Sequence, residues 1–224
     1  VPTTLKWPLI TKENPKSLIA ESYKGLRTNI DFSRLDAKVK SIIVTSATLG
    51  EGKSTTVANL AIAYAETGRS VLIIDGDLRN PAMHRIFNIS NSIGLSNVLF
   101  DKDDLSKAIQ STRTLNLSVM TSGAVPPNPS EILGSKRMEA LMDEVKSEYD
   151  LVILDTPPLL PFTDAQVATP LCEGVVMVIK AGGASRKDIV KATASLEFVG
   201  AHVLGAVLNQ ASRKTLSTAY HEEQ

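Results

Sequence analysis

With 224 residues, 43% of them hydrophobic, the chain is long enough to bury one sizeable core and is read as a single domain. Its 24 basic and 24 acidic residues cancel, which removes any global electrostatic case for nucleic acid as a partner. The single cysteine, Cys172, excludes an intrachain disulfide framework or a cysteine-based metal cluster within one chain, and it fits a reducing cytoplasm.

Residues 1–16 are polar and interrupted by Pro2, Pro8 and Pro15, so they read as an arm outside the core whose ordering would need a partner surface. The start, V-P-T-T-L-K-W-P, lacks the basic residues and apolar stretch of a secretory signal, and it lacks Met, as a trimmed chain would. Residues 17–32 carry a helical pattern that sets Leu18, Ile19, Tyr23, Leu26 and Ile30 near one face, slightly weakened by Gly25. Beyond them, apolar runs alternate with helical stretches. Strands are predicted at 41–45, 71–75, 117–121, 151–155, 175–180 and 204–209. Helices are predicted at 53–67, 135–147 and 187–198, with shorter ones near 92–99, 105–110 and 164–169. Most of the strands are unbroken Val/Ile/Leu runs, the mark of burial on both faces. This repeated βα unit predicts an α/β fold: a doubly wound, mainly parallel sheet of about seven strands with helices on both faces. No run is long enough to span a membrane, so membrane association would come through a partner. Residues 17–211 form the expected domain, and residues 212–224 read as a flexible polar tail.

Ligands of such sheets bind at the carboxyl ends of the strands, and the chemically suggestive residues fall there. Directly after the first strand, residues 47–55 read A-T-L-G-E-G-K-S-T. A strand turning sharply into a helix leaves backbone N–H groups without partners. Together with the positive end of the helix dipole, they make a site for polyphosphate. Gly50 and Gly52 let the backbone curl close to the phosphates, Lys53 reaches the β- and γ-phosphate oxygens, and the Ser54 hydroxyl is placed to ligate Mg²⁺. Gly50, Glu51, Gly52, Lys53, Ser54 and Thr55 are therefore assigned to the nucleotide. The consensus G-x-x-x-x-G-K-[ST] has glycine where this chain has Ala47.

The second strand ends in D-G-D-L-R-N-P, which sets Asp75 and Asp77 at the same edge. Two carboxylates at this spacing divide the labour. One accepts a proton from an incoming hydroxyl while the other holds Mg²⁺ or its water; a D-G-D run also suits a solvated turn. Arg79 is left between a phosphate and Asp77. The strand 151–155 ends L-V-I-L-D-T-P-P, a Walker B pattern in which Asp155 holds the metal. Residues 121–131, T-S-G-A-V-P-P-N-P-S-E, either wall the site or form a structural loop that caps the next helix through Ser130. Asn209, at the end of the last strand, either reads a nucleobase edge or forms a turn.

With these motifs in this order, the chain resembles the bacterial tyrosine kinases of capsule and exopolysaccharide synthesis, from about residue 21 to residue 209. The pairing of G-E-G-K-S-T with D-x-D-x-R-x-P is the most specific part of the likeness. The resemblance implies a P-loop NTPase of the deviant Walker subclass that phosphorylates protein tyrosines. It assigns Lys53 and Ser54 to ATP and Mg²⁺, Asp75 as the base, and Asp77 and Asp155 to metal and geometry. It implies a ring built through a helix motif E-x-x-R-x-x-R, matched here by Glu21, Lys24 and Arg27, with lysine in place of the first arginine. It further implies a location at the inner face of the membrane through the cytosolic segment of a membrane-embedded activator. Tail tyrosines are phosphorylated between neighbours in this family. The present tail offers only Tyr220, which truncation would explain. Tyr23, Tyr64 and Tyr149 lie in structured stretches. The nearest rival is the partition and septum-site ATPases, whose loop carries a further lysine where this chain has Thr48. An iron–sulfur carrier on the same scaffold would need more cysteine than Cys172.

Overall fold

In the computed structural model, which describes residues 7–34, 38–100 and 105–211, the apolar runs form six parallel strands. They are β1 (Ser41–Ser46), β2 (Val71–Asp75), β4 (Leu117–Met120), β5 (Leu151–Asp155), β6 (Gly174–Lys180) and β7 (Val203–Asn209). The sheet order is β3-β4-β2-β5-β1-β6-β7, and β3 (Ile109–Ser111) is its one antiparallel member. The predicted helix at 105–110 ends early for this reason. After one turn, α6 (Leu105–Ala108), the chain pairs Ile109 with Met120 and Ser111 with Ser118 along the open edge of β4. So short an apolar run does not tell helix from strand by period, and the free edge decided it.

Alternation along each strand divides the core in two. Ile43, Leu72, Ile74, Val152 and Leu154 face α5 (Leu95–Phe100), α6, α7 (Pro129–Leu133), α8 (Lys136–Glu148), α9 (Asp164–Ala168) and α10 (Arg186–Phe198). Ile42, Val44, Val71, Ile73 and Ile153 face α1 (Ile10–Glu13), α2 (Leu18–Phe32), α3 (Lys53–Ala65) and α4 (Met83–Phe87). Helix α3 is buried almost all round, since the sheet covers one side and α1 and α2 the other. Fully buried Leu60 and Ile62 contribute roughly 1.5–3 kcal/mol each.

Two expectations change at the N-terminal end. The segment from Trp7 onward, read as an arm, lies on the domain. The Thr11 amide donates to Asn59 Oδ1 at 3.0 Å, Asn59 Nδ2 donates to the Pro8 carbonyl at 3.0 Å, and Trp7 and Leu9 pack on the core. The surface that orders it is the chain's own α3. Helix α2 starts at the Ser17 cap, whose hydroxyl accepts from the Ala20 amide. Its buried stripe is Ala20 and Ile30, with Tyr23 and Leu26 half-buried, whereas Leu18 and Ile19 are 74% and 59% exposed.

Candidate active site

The phosphate loop runs from the end of β1 to the first turn of α3. Gly50 and Gly52 take φ of 76° and 90°, a region in which a side chain is strained, so the curl of the loop rests on these two residues. A Cβ at Gly52 would collide with Asn209 Nδ2, while one at Gly50 would meet nothing. Ala47 is fully buried, and its amide donates to Glu51 Oε2 at 3.1 Å. Glu51 is itself only 1% exposed, and its other oxygen accepts from the Ala184 amide at 3.3 Å. Its carboxylate thus staples the loop to the segment after β6 and is not free to serve a ligand. Asn209, at the end of β7, sits against the loop. Nδ2 donates to the Glu51 carbonyl at 2.9 Å and Oδ1 accepts from the Gln210 amide at 2.9 Å, so Asn209 forms a turn and braces the loop.

Strand register brings the acids to this loop. Asp75 and Asp155 are paired positions at the ends of β2 and β5, and Asp155 also pairs with Val44 on the strand that leads into the loop. Both acids are fully buried; Asp77 is 6% and Lys53 7% exposed. Asp75 Oδ2 accepts from the Ala82 and Met83 amides at 3.0 and 2.9 Å, which leaves Oδ1 without a partner. Neither oxygen of Asp155 has a hydrogen-bond partner. Asp77 Oδ1 accepts from the Asn80 amide at 3.0 Å. Burial pushes the carboxyl of Asp75 well above the usual range, and the charge of Asp155 raises it further. Burial also raises Asp155, opposed first by the Lys53 charge and then by the nearby Ser54 hydroxyl, which does not complete a hydrogen bond. Three buried carboxylates beside one lysine leave a deficit of positive charge, and the orphaned oxygens of Asp75 and Asp155 are hard donors of the kind Mg²⁺ takes. Among the described residues no three His, Cys, Asp or Glu side chains converge as a metal cage. Mg²⁺ is commonly held by one or two protein carboxylates, with water and phosphate completing its shell.

Arg79 pairs with Asp164 and not with Asp77. Its Nε and Nη2 donate to Asp164 at 2.5 and 3.1 Å, and its guanidinium lies 4.2 Å over the Phe162 ring. Asp164, fully buried at the start of α9, also accepts from the Ser130 hydroxyl. Ser130 therefore does not cap the following helix: α7 has Asn128 at its N-cap with no side-chain bond, and α8 is capped by Ser135. Sequence reasoning missed Asp164. The available signal was an acid opening a helix after a Pro-rich loop, which reads as ordinary helix chemistry.

The remaining candidates sit on α2 or outside the described residues. Glu21 and Lys24 form an i,i+3 pair at 2.8 Å, Lys24 also donates to the Pro15 carbonyl, and Arg27 donates to the Ala63 carbonyl at 2.7 Å. Tyr64 is 1% exposed, with its hydroxyl near Asp31 Oδ1 at 3.2 Å, and Tyr149 packs on the core. Tyr220 lies outside the described residues. A cavity of about 450 Å³ between α1 and α4 shares no lining residue with the phosphate loop or the acids.

A family profile described as an AAA domain matches residues 39–199. Tyrosine-protein kinase YwqD of Bacillus subtilis (strain 168) is 44% identical over 201 residues, which cover 90% of this chain and 85% of the relative. Among solved structures, the chimerical protein CapA2B2 superposes with a TM-score of 0.88 at 43% identity, over 92% of this chain and 90% of that one. The septum site-determining protein MinD from Pyrococcus horikoshii OT3, complexed with Mg-ADP, is more distant, at a TM-score of 0.66 and 28% identity over 78% of this chain and 71% of that one. The match to the kinase covers nearly the whole length of each chain, and it exceeds the likeness to the septum-site ATPase in identity. The chain belongs to the family of bacterial tyrosine-protein kinases built on a P-loop scaffold.

Proposed function

We propose that this kinase binds ATP with Mg²⁺ and transfers the γ-phosphoryl group to tyrosine hydroxyls. The acceptors are Tyr220 of a neighbouring copy and proteins of capsule and exopolysaccharide synthesis and export. The observation that carries this reading is the pair of buried acids with unpartnered oxygens, Asp75 and Asp155, beside the lysine of the phosphate loop. The backbone of residues 50–55 cradles the phosphates and Lys53 neutralises the β- and γ-oxygens. Ser54 and Asp155, with Asp75 or its water, would hold the metal, which supplies charge neutralisation on the phosphates. Asp75 accepts the tyrosine proton as the new O–P bond forms and the bond to the β-phosphate oxygen breaks, and ADP leaves. Asp77 fixes its own turn and adds a nearly buried negative charge beside Asp155 that helps to draw the metal. Such transfer is mostly positioning and electrostatics, so few groups suffice.

Residues 17–211 would then be the catalytic unit and residues 212–224 the substrate tail. Ring assembly through Glu21, Lys24 and Arg27 would exchange their present intrachain partners for those of a neighbour. No helix among the described residues is long and apolar enough to cross a membrane. We assign the kinase to the inner membrane face, through the cytosolic segment of a membrane-embedded activator.

The test is phosphotyrosine formation with ATP and Mg²⁺, alone and fused to such a segment. Lys53→Met and Asp75→Ala are expected to lower it by roughly 100-fold or more. Steady ATP hydrolysis that rises with DNA or lipid, and no phosphotyrosine from either form, would overturn the reading in favour of a septum-type switch.

A further inference from the structure

The loops that leave the carboxyl ends of three neighbouring strands, β4, β2 and β5, meet at one buried carboxylate. Asp164 follows β5, Arg79 follows β2 and Ser130 follows β4. Asp164 accepts from two nitrogens of Arg79 and from the Ser130 hydroxyl. Ser130 in turn accepts from Thr163 Oγ1 at 3.2 Å and Arg79 Nη2 at 3.3 Å. A carboxylate taken out of water is tolerated when its oxygens are saturated by charged and hydroxyl donors, as here. The core does not need this group, because Ala165 and Ala168 supply the apolar face of α9.

What the pairing controls is Arg79. It stands two residues from Asp77 and already feels that charge. Released from Asp164, its guanidinium would find Asp77 as the next anion. The segment between Asp75 and Met83 is held by amides that donate back to Asp75 and Asp77 and by the buried side chain of Leu78, and Arg79 is its charged link to the neighbouring loops. We infer that Asp164 is a positioning residue for phosphoryl transfer: it holds Arg79 off Asp77 and so keeps the acid pair open to the cation and the acceptor hydroxyl. This rests on the kinase reading above for its consequence in transfer, and on the nucleotide site alone for its consequence in Mg²⁺ binding.

The experiment measures, on the full chain, the Mg²⁺ concentration that half-saturates binding of a fluorescent ADP analogue, together with phosphotransfer to a tyrosine peptide. Asp164→Asn is expected to raise the half-saturating Mg²⁺ by about 10-fold and to lower transfer by about 10–100-fold, the range for partners that orient metal-site groups. The double variant Asp164→Asn with Arg79→Gln is expected to return the Mg²⁺ requirement to within about 2-fold of the unmodified protein, because no cation then competes for Asp77. A purely structural role for Asp164 would not give that reversal. Ser130→Ala, which removes one hydroxyl, is expected to shift the requirement by about 2–3-fold and decides the matter if Asp164→Asn fails to fold. An unchanged Mg²⁺ requirement in the folded single variants, or a double variant worse than Asp164→Asn, overturns the inference. Absence of phosphotyrosine from the unmodified protein with the Mg²⁺ shift intact would instead remove the kinase reading.

Discussion

Replacing Gly52 by alanine separates two costs that the phosphate loop combines at one position. The first is conformational: at φ 90° an L side chain crowds its own backbone, for roughly 1–2 kcal/mol. The second is a collision, because the new methyl would occupy the space of Asn209 Nδ2. Asn209 must then give up its bond to the Glu51 carbonyl, worth about 0.5–1.5 kcal/mol. Gly52→Ala should therefore destabilise by about 2–3 kcal/mol, whereas Gly50→Ala, at φ 76° with open space around it, meets only the first cost of about 1–2 kcal/mol. Urea unfolding with an unchanged slope is the assay. In an Asn209→Ala background the collision has already been removed, and Gly52→Ala should fall to the cost of Gly50→Ala. Equal losses at the two glycines, or the same loss at Gly52 with and without Asn209, would refute the reasoning.

Two further outcomes follow from ionisation. Burial raises Asp75 and Asp155 above their unfolded values, so between about pH 4 and the raised values the folded state holds more protons than the unfolded chain, and stability falls as pH rises. Asp155→Asn should then be close to neutral near pH 4 and stabilising by at least about 1 kcal/mol at pH 8 without nucleotide, as read by unfolding across pH; a gap that shrinks with rising pH would count against it. Burial pushes the Cys172 thiol up to about 12, although part of the residue reaches solvent. Its labelling by an alkylating reagent at pH 8 should be at least about 100-fold slower than that of a free thiol, and labelling at the free-thiol rate would contradict the assigned burial.

The parallel sheet was legible because its strands are buried on both faces, and that burial demands unbroken runs such as Ser41–Ser46 and Leu151–Asp155. The loop and the acids were legible because phosphate chemistry restricts which residues can stand at those points. Positions set by tertiary competition were not. Trp7, Leu9 and Ile10 were a local sign of docking outweighed by the prolines around them, and the polar partner that fixes the segment, Asn59, lies 48 residues beyond Thr11. Arg79 had several anions within conceivable reach, and only the fold brings Asp164, 85 residues away, to its side. Asn209 was identified as a site residue, but which of its neighbours it served depended on the close approach of Gly52.

The clasp of the first turn on α3 has a mechanical side. Asn59 grips the Pro8 carbonyl and the Thr11 amide while its Nδ2 also donates to the Thr55 carbonyl inside the phosphate-binding turn. Trp7 meanwhile lies under Arg85 on α4, the helix whose leading amides hold Asp75. A load on the polypeptide ahead of Trp7 is thus delivered along two lines, to the nucleotide side of the site and to its acid, so that one handle strains both together.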